Sequence, residues 1–259
     1  MFYKALAFTA FLLLLVPAPV FCQEDVTITT VFKADSTFPR LRANAYFSPV
    51  EDKLDSTNLQ FVARLEACAG NRQNAIKDMF GYLALRSKQI GANGYKFVKF
   101  YFDTTAKNLK LQFDVYHLND SLLGVNKQLK PKGKIFIINA YQPNTIYVDR
   151  DPLFFKSKTW FSLDLSSIKK YKLRASKDGA ACLVDGSMLK DKSQYFLTKD
   201  SHVSLGSMGL GYALFGVAGV VIASVDPEGK LKPIDENLAN ILMKIYRQAS
   251  HEEVFRSKP

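Results

Sequence analysis

The sequence predicts an α+β fold in which a small strand–helix–strand–strand domain precedes an all-β, sandwich-like module. Apolar and polar residues alternate in many short runs, which is the pattern of half-buried strands. One long stretch instead repeats its apolar residues at helical spacing. In the second half of the chain, turn-forming dipeptides separate runs that recur roughly every ten residues, as in β-sandwiches.

The composition is that of a folded globular protein. Of the 259 residues, 47% are hydrophobic and 23% are charged, which excludes wholesale disorder. The 20 Phe and 12 Tyr against one Trp favour a β-rich core, because aromatic side chains prefer pleated, half-buried positions. A chain of this length accommodates one large domain or two small ones.

The N-terminus predicts an export signal over residues 1–22. Lys4 supplies a positive start, and the apolar stretch Ala5–Val16 follows it. Two prolines then end the stretch before a cleavage region, in which we expect cleavage between Cys22 and Gln23. The alternative is an N-terminal anchor that is not cleaved.

The cysteines suggest two modifications. Cys22 is a candidate for lipidation, as in bacterial lipoproteins, although Val20 and Phe21 stand where such signals carry small residues. Cys68 and Cys182 form an even pair, and an oxidising compartment permits a disulfide between them. The alternative is two buried thiols, since both cysteines lie in small, apolar surroundings.

Residues 26–120 are predicted to form the α+β domain. Strands are expected at VTITTVF and NLQFVARLEACA, and a helix follows, with Asn71 as its N-cap and Gly91 as its stop. The runs YKFVKFYFD and LKLQFDVYHL then predict a hairpin. The predicted apolar side of the helix consists of Ile76, Met79, Phe80, Leu83 and Ile90.

Residues 134–200 are predicted to form the β-rich module. A polar, basic connector, NDSLLGVNKQLKPKGK, leads into it, and Pro131 and Gly133 mark the boundary. Asp-Gly, Asp-Pro and Gln-Pro turns separate several of the strands, which favours a small sandwich or an open barrel. The predicted strands are KIFIINA, NTIYVD, TWFSLDL, KKYKLRAS, ACLVDG and SQYFLTK.

An uncharged, glycine-rich apolar span occupies residues 203–225. At about 1.5 Å per helical residue it is long enough to cross the roughly 30 Å of a bilayer core, so we predict a transmembrane helix. Gly209, Gly216 and Gly219 fall near one another on a helical wheel and form a candidate packing face for self-association. The alternative is a hairpin or loop buried in the β-rich module.

An amphipathic helix is predicted at 235–250, with Asp235 as its N-cap. It could lie on a membrane surface or pack on the β-rich module, and we favour packing. Its predicted apolar face consists of Leu238, Ile241, Leu242, Ile245 and Ala249.

The chain is basic, with a formal net charge of +11, and the charge is unevenly spread. Residues 86–134 hold ten Lys or Arg against three Asp, a net +7. A surface of that kind could bind an anionic envelope polymer or lipid. Export makes nucleic acid the least suited partner. The alternative is that these lysines only solvate exposed strand faces.

No motif for catalysis, a metal or a cofactor emerges, and we expect no cofactor. The three histidines are isolated, and the only local cluster of acids is Asp149, Asp151 and Asp164. The sequence therefore predicts an exported, membrane-tethered envelope protein that binds or scaffolds without catalysis. The alternative is a hydrolase that acts on an envelope polymer through carboxylates that the sequence does not identify.

Overall fold

A computed structural model describes residues 26–71, 75–140, 142–165, 169–175, 177, 181–198 and 231–255. The predicted export signal and the apolar span at 203–225 lie outside these residues. None of the helices in the described ranges is long and apolar enough to cross a membrane.

A five-stranded sheet in the order β1-β3-β5-β4-β2 forms the first unit. The central strands pair antiparallel, β4 and β5 form the predicted hairpin, and β2 joins β4 in parallel. One helix, α1, packs on one face of the sheet. The bounds are β1 Thr27–Lys33, β2 Ser48–Pro49, β3 Gln60–Gly70, α1 Ala75–Gln89, β4 Gly94–Asp103 and β5 Asn108–His117.

The apolar side of α1 closes the first core. Met79, Phe80 and Leu83 are fully buried against side chains of β3, β4 and β5, as their helical spacing predicts. The chain leaves the helix through Gly91, whose φ of +85° is a left-handed conformation that glycine adopts without strain. The elements follow one another as β3, α1, β4 and β5, and the helix begins at Ala75, four residues after the predicted N-cap Asn71.

The predicted connector contains a helix instead of an open linker. This helix, α2, spans Asp120–Leu129, and the Asn119 side chain caps it by accepting a hydrogen bond from the Leu122 N–H at 2.9 Å. Leucines of α2 pack with Val50 and Leu54. The apolar face of this helix is short. Because lysines interrupt it and Pro131 and Gly133 follow it, the sequence resembles a linker.

Two further sheets form the second unit. One has the order β11-β10-β7-β8, the other the order β13-β12-β6-β9-β14, and a shared apolar core contains side chains from both. The two sheets pack around this core in the manner of a sandwich, and helical residues pack on it as well, so the module is not all-β. The bounds are β6 Lys134–Asn139, β7 Asn144–Val148, β8 Asp151–Phe155, β9 Thr159–Asp164, β10 Lys170–Arg174, β11 Cys182–Asp185, β12 Gln194–Thr198, β13 Leu231–Ile234 and β14 Arg247–Gln248.

The C-terminal segment completes the five-stranded sheet of the second unit. Strand β13 pairs with β12 at one edge and β14 pairs with β9 at the other, and helix α3, Glu236–Ile245, lies between them in the chain. Helix α3 is shorter than predicted, because the chain extends again into β14. A last short helix, α4, spans His251–Phe255.

Helix α3 packs on the second unit, as expected, and also on the first. Ala239 and Leu242 lie against aromatic side chains of the five-stranded sheet of the second unit. Ile241 belongs instead to the core under α1. The Tyr95 hydroxyl of β4 donates a hydrogen bond to the Asn237 carbonyl at 3.2 Å. One helix therefore links the two units.

Candidate functional site

A row of three cations lies on the outer face of the four-stranded sheet. Lys170, Lys172 and Arg174 alternate along β10 with Tyr171 and Leu173, whose side chains pack into the sandwich core. Because successive strand side chains point to opposite faces, the three cations share the outer face, about 7 Å apart from one to the next. We call Lys170, Lys172 and Arg174 the basic row.

Two of the three cations have no acidic partner in the described part of the chain. The Lys170 ammonium lies 3.9 Å from an Asp185 carboxylate oxygen, and its side chain is 76% exposed. Lys172 and Arg174 form no ion pair with any described residue, and Arg174 Nε is buried without a hydrogen-bond partner there. The Lys172 charge helps to lower the pKa of Asp149 without a direct ion pair between the two groups.

Apolar and aromatic side chains stand beside the basic row. Leu183 of β11 lies directly opposite Lys172 and is 53% exposed. Tyr147 of β7 lies opposite Arg174. A flat face with cations and an exposed apolar side chain suits contact with an extended ligand better than with a single small anion, which a convergent pocket holds more tightly.

Asp149 fixes the turn beside the basic row. This residue adopts a φ of +58° in the β7–β8 turn. Its carboxylate accepts hydrogen bonds from the Lys169 ammonium at 2.6 Å and from the Lys172 N–H at 2.9 Å. Both bonds hold the pKa of Asp149 below its usual value, so the group stays ionised and is a poor general acid.

The structure disperses the basic stretch predicted at 86–134. Lys88 donates to the Ala43 carbonyl, Lys130 pairs with Glu236, and Lys134 pairs with Asp164. By contrast, residues 149–177 of the sequence, which include the basic row, hold eight Lys or Arg against three Asp, a net +5. The alternation Lys-Tyr-Lys-Leu-Arg in a predicted strand is the signal that could have located it.

The outer face of the first sheet is a weaker candidate. At its centre the Glu66 carboxylate accepts hydrogen bonds from the Gln112 amide and from the Tyr101 hydroxyl, and the Lys110 ammonium lies 3.6 Å from it. Lys99 lies 4.6 Å from the centre of the Tyr101 ring. Since acids of the same face neutralise several of its cations, less charge is left for a polymer.

The two cysteines predicted as a disulfide are free thiols in this structure. Cys68 lies on β3 of the first sheet and Cys182 on β11 of the second unit. Burial raises the pKa of both thiols, which favours the unreactive protonated form.

The other predicted site residues either lie outside the described residues or do not form a common site. Cys22, Gly209, Gly216 and Gly219 lie outside the described residues. Asp151 begins β8, whereas Asp164 ends β9 on the other sheet with its side chain 80% exposed. Within the ranges that the structure describes, no three His, Cys, Asp or Glu side chains come together as a metal site.

The fold and this face define a mostly stranded α+β protein with a cationic sheet surface. No protein-family model matches the chain, and no curated protein matches it. A solved structure of a Francisella virulence factor, FvfA, is similar over 36% of this chain and 100% of its own, with 8% identity and a TM-score of 0.30. At that score the likeness carries no functional inference.

Proposed function

We propose that this protein is an exported, membrane-tethered binding protein whose basic row holds an anionic polymer of the cell envelope without catalysis. The basic row is the observation that carries the proposal. Its cations are evenly spaced, share one face, and include two without an ion pair among the described residues. A linear polymer with repeated anionic groups can contact all three at once.

The predicted location supports an envelope polymer over nucleic acid. An export signal at 1–22 and an apolar span at 203–225 would together hold the folded units outside the cytoplasm at a membrane. Self-association through Gly209, Gly216 and Gly219 would place several basic rows side by side and raise the affinity for a long polymer through multivalency.

The hydrolase alternative gains no support from the predicted acids. Asp149 is held by two hydrogen bonds as an ionised part of a turn, and Asp164 is an exposed acid paired with Lys134. A general acid needs a raised pKa near the scissile bond, whereas the pKa of Asp149 is lowered.

The test measures binding of long-chain inorganic polyphosphate by isothermal titration calorimetry at several salt concentrations. Lys172→Glu is expected to weaken binding about tenfold or more, which corresponds to about 1.4 kcal/mol, because it reverses the central charge of the row. It should also flatten the salt dependence, since fewer counterions are released. Lys99→Glu is the matched control, because it reverses an exposed strand lysine of the first sheet.

Three results would contradict the proposal. An equal loss in Lys99→Glu would move the binding surface to the first sheet. Undiminished binding in Lys172→Glu would remove the basic row from the interface. Binding to phosphatidylglycerol vesicles but not to polyphosphate would replace the polymer with a membrane surface. Separately, recovery of the protein in the soluble fraction after a carbonate wash would contradict the membrane tether.

A further inference from the structure

A small cleft lies between α3 and the outer face of the five-stranded sheet of the second unit. Its volume is about 230 Å³, below the roughly 300–1,000 Å³ typical of drug-sized sites, so it suits a small ligand. One side of α3 forms a wall, and the segments after β2 and α2 form the rim. The lining residues are Glu51, Pro131, Phe136, Trp160, Tyr195, Glu236, Asn240, Met243 and Lys244.

The floor of the cleft is aromatic. Tyr195 of β12 lies opposite Phe136 of β6 in the parallel pair, and the two rings stack with their centres 5.0 Å apart. The Trp160 ring of β9 lies 6.2 Å from Phe136. Trp160 Nε1 donates to the Met243 carbonyl at 3.0 Å, which holds the indole against the end of α3. Three adjacent strands therefore present a fixed aromatic surface.

The rim of the cleft carries two acids, Glu51 and Glu236, and one of them forms no direct ion pair. Glu236 is paired, because its carboxylate lies 2.6 Å from the Lys130 ammonium. Lys244 is also paired, since it lies 2.8 Å from an Asp52 carboxylate oxygen. Glu51 forms no ion pair with any residue that the structure describes. A carboxylate at the mouth of an aromatic cleft, without a direct ion pair, attracts a cation.

The backbone at Glu51 is held in place. The Glu51 N–H donates to the Asn126 side-chain oxygen at 2.8 Å. The side-chain nitrogen of Asn126 in turn donates to the Pro49 carbonyl at 2.9 Å. Asn126 is fully buried on α2. The preceding Val50 N–H donates to the carbonyl of Tyr95 at 2.8 Å. Because these bonds already fix the backbone, binding a ligand need not order it, and this part of the site is preorganised.

The pKa shifts around the cleft also favour a positively charged ligand. Burial raises the pKa of Glu51, the nearby Glu236 and Asp52 raise it further, and Lys130 and Lys244 oppose the rise. Burial and the two glutamates also raise the pKa of Tyr195. A positive charge placed in the cleft would reverse the shift of Glu51 and stabilise its ionised form.

We propose that this cleft binds a small organic cation, with an ammonium group beside Glu51 and its apolar substituents over the rings of Tyr195, Phe136 and Trp160. The face of an aromatic ring attracts cations, and tryptophan does so most strongly. Trp160 is the least buried of the three rings and supplies this attraction, whereas Tyr195 and Phe136 stack on each other, are each 7% exposed, and supply apolar contact. The carboxylate supplies the opposite charge, and the volume limits the ligand to choline-sized molecules. This ligand and site are independent of the basic row.

The probe is choline chloride, and the reporter is built into the site. Trp160 is the only tryptophan of the chain, so its fluorescence reports on the cleft alone. We expect a saturable change of Trp160 emission with choline. Sodium chloride at the same ionic strength, and the neutral analogue of choline in which carbon replaces the nitrogen, should cause none.

Substitution of the rim separates charge recognition from general effects. Glu51→Gln keeps the backbone bond to Asn126 and the size of the side chain, and should weaken choline binding about tenfold or more. Asp35→Asn is the matched control: it removes one negative charge from an exposed residue of the first unit that does not line the cleft, and should bind choline as the native protein does. Circular dichroism checks that both variants fold.

Several outcomes would overturn the proposal. A response to choline that rises linearly without saturation would show only collisional quenching. Equal affinity for the neutral analogue would show that charge is not recognised. Choline binding that is unchanged in folded Glu51→Gln, or lowered equally in Asp35→Asn, would remove Glu51 from the site. None of these results depends on polyphosphate binding.

Discussion

At the scale of single residues, the charged side chains divide into those that the fold uses and those that it leaves free. Arg64 and Asp114 form a two-pronged pair across β3 and β5, with distances of 2.7 and 2.8 Å. Lys172 and Glu51 have no such partner among the described residues. A charge that already forms an ion pair within the protein interacts less with a ligand. The charges without an ion pair are therefore the better candidates for ligand binding.

Glu253 provides a test of one such pair. Its carboxylate accepts two hydrogen bonds from Arg247, at 2.8 and 2.9 Å, and a third from the Ser250 N–H at 3.0 Å. These bonds lower the pKa of Glu253 to about 2. Because this pKa is depressed on folding, the stabilisation is present above the unfolded pKa and is lost as the pH falls towards about 2.

We predict that Arg247→Ala raises the pKa of Glu253 towards its ordinary value of 4.5. Carboxyl-detected NMR titration measures the shift directly. Lys156→Ala is the comparison, and should raise the pKa less because the Lys156 ammonium lies farther away, at 3.3 Å. A titration of Glu253 near 4.5 in the native protein would show that the pair does not form in solution.

At the scale of elements, α1 shows how a local rule fixes a boundary. The helix ends where Gly91 turns the chain into a left-handed conformation, close against Phe38. A Cβ at this position would lie 2.4 Å from Phe38 Cβ and 2.9 Å from the Pro39 carbonyl oxygen. Gly81, within the same helix, has nothing within 4 Å of the corresponding point.

The two glycines of this region are predicted to respond in opposite directions to alanine. Gly91→Ala should lower the free energy of unfolding by about 2–3 kcal/mol, through left-handed strain and the clash with Phe38. Gly81→Ala should raise it by about 0.5–1 kcal/mol, because alanine favours an unobstructed helical position. Urea denaturation measures both. Destabilisation by Gly81→Ala would contradict the helical environment described for it.

Regular elements could be predicted from the sequence, and irregular ones could not. Six strands of the second unit follow from short apolar runs separated by turn dipeptides, and the hairpin of the first follows from alternation. Strand β8 was missed because Asp151 and Pro152 resemble a turn, yet both lie within the strand at its exposed start. Helix α2 was missed because few of its residues are buried, and composition alone resembles a linker.

Neither candidate site could be predicted from local sequence. Residues 86–134 concentrate positive charge along the sequence, but the fold places their side chains on several different surfaces. The basic row depends on which side of β10 faces the core. The cleft gathers side chains from β6, β9, β12, α3 and two connecting segments, so only the tertiary fold brings them together.

At the scale of the whole molecule, α3 makes the two units interdependent. Ile241 is fully buried in the core under α1, whereas Ala239 is fully buried against the sheet that carries the aromatic floor. Neither core is complete without this one helix. The units should therefore unfold together rather than separately.

Ile241→Ala tests this coupling. Removing a fully buried isoleucine should lower stability by about 2–5 kcal/mol. Hydrogen exchange should show similar losses of protection in β3 and β5 of the first unit and in β6 and β12 of the second. Leu183→Ala, which shortens an exposed apolar side chain on β11, should change neither. A loss confined to the first unit would mean that the two units unfold independently.

The placement of β13 and β14 also bears on solubility. An unpaired strand offers a row of free N–H and C=O groups to which a neighbouring chain can add, and aggregation spreads from such edges. The segment 231–255 covers β12 on one side and β9 on the other, two strands rich in aromatic and apolar residues. A chain ending before Leu231 would expose both strands at once and should polymerise edge to edge. The segment whose helix walls the cleft thus also covers both edges of this sheet.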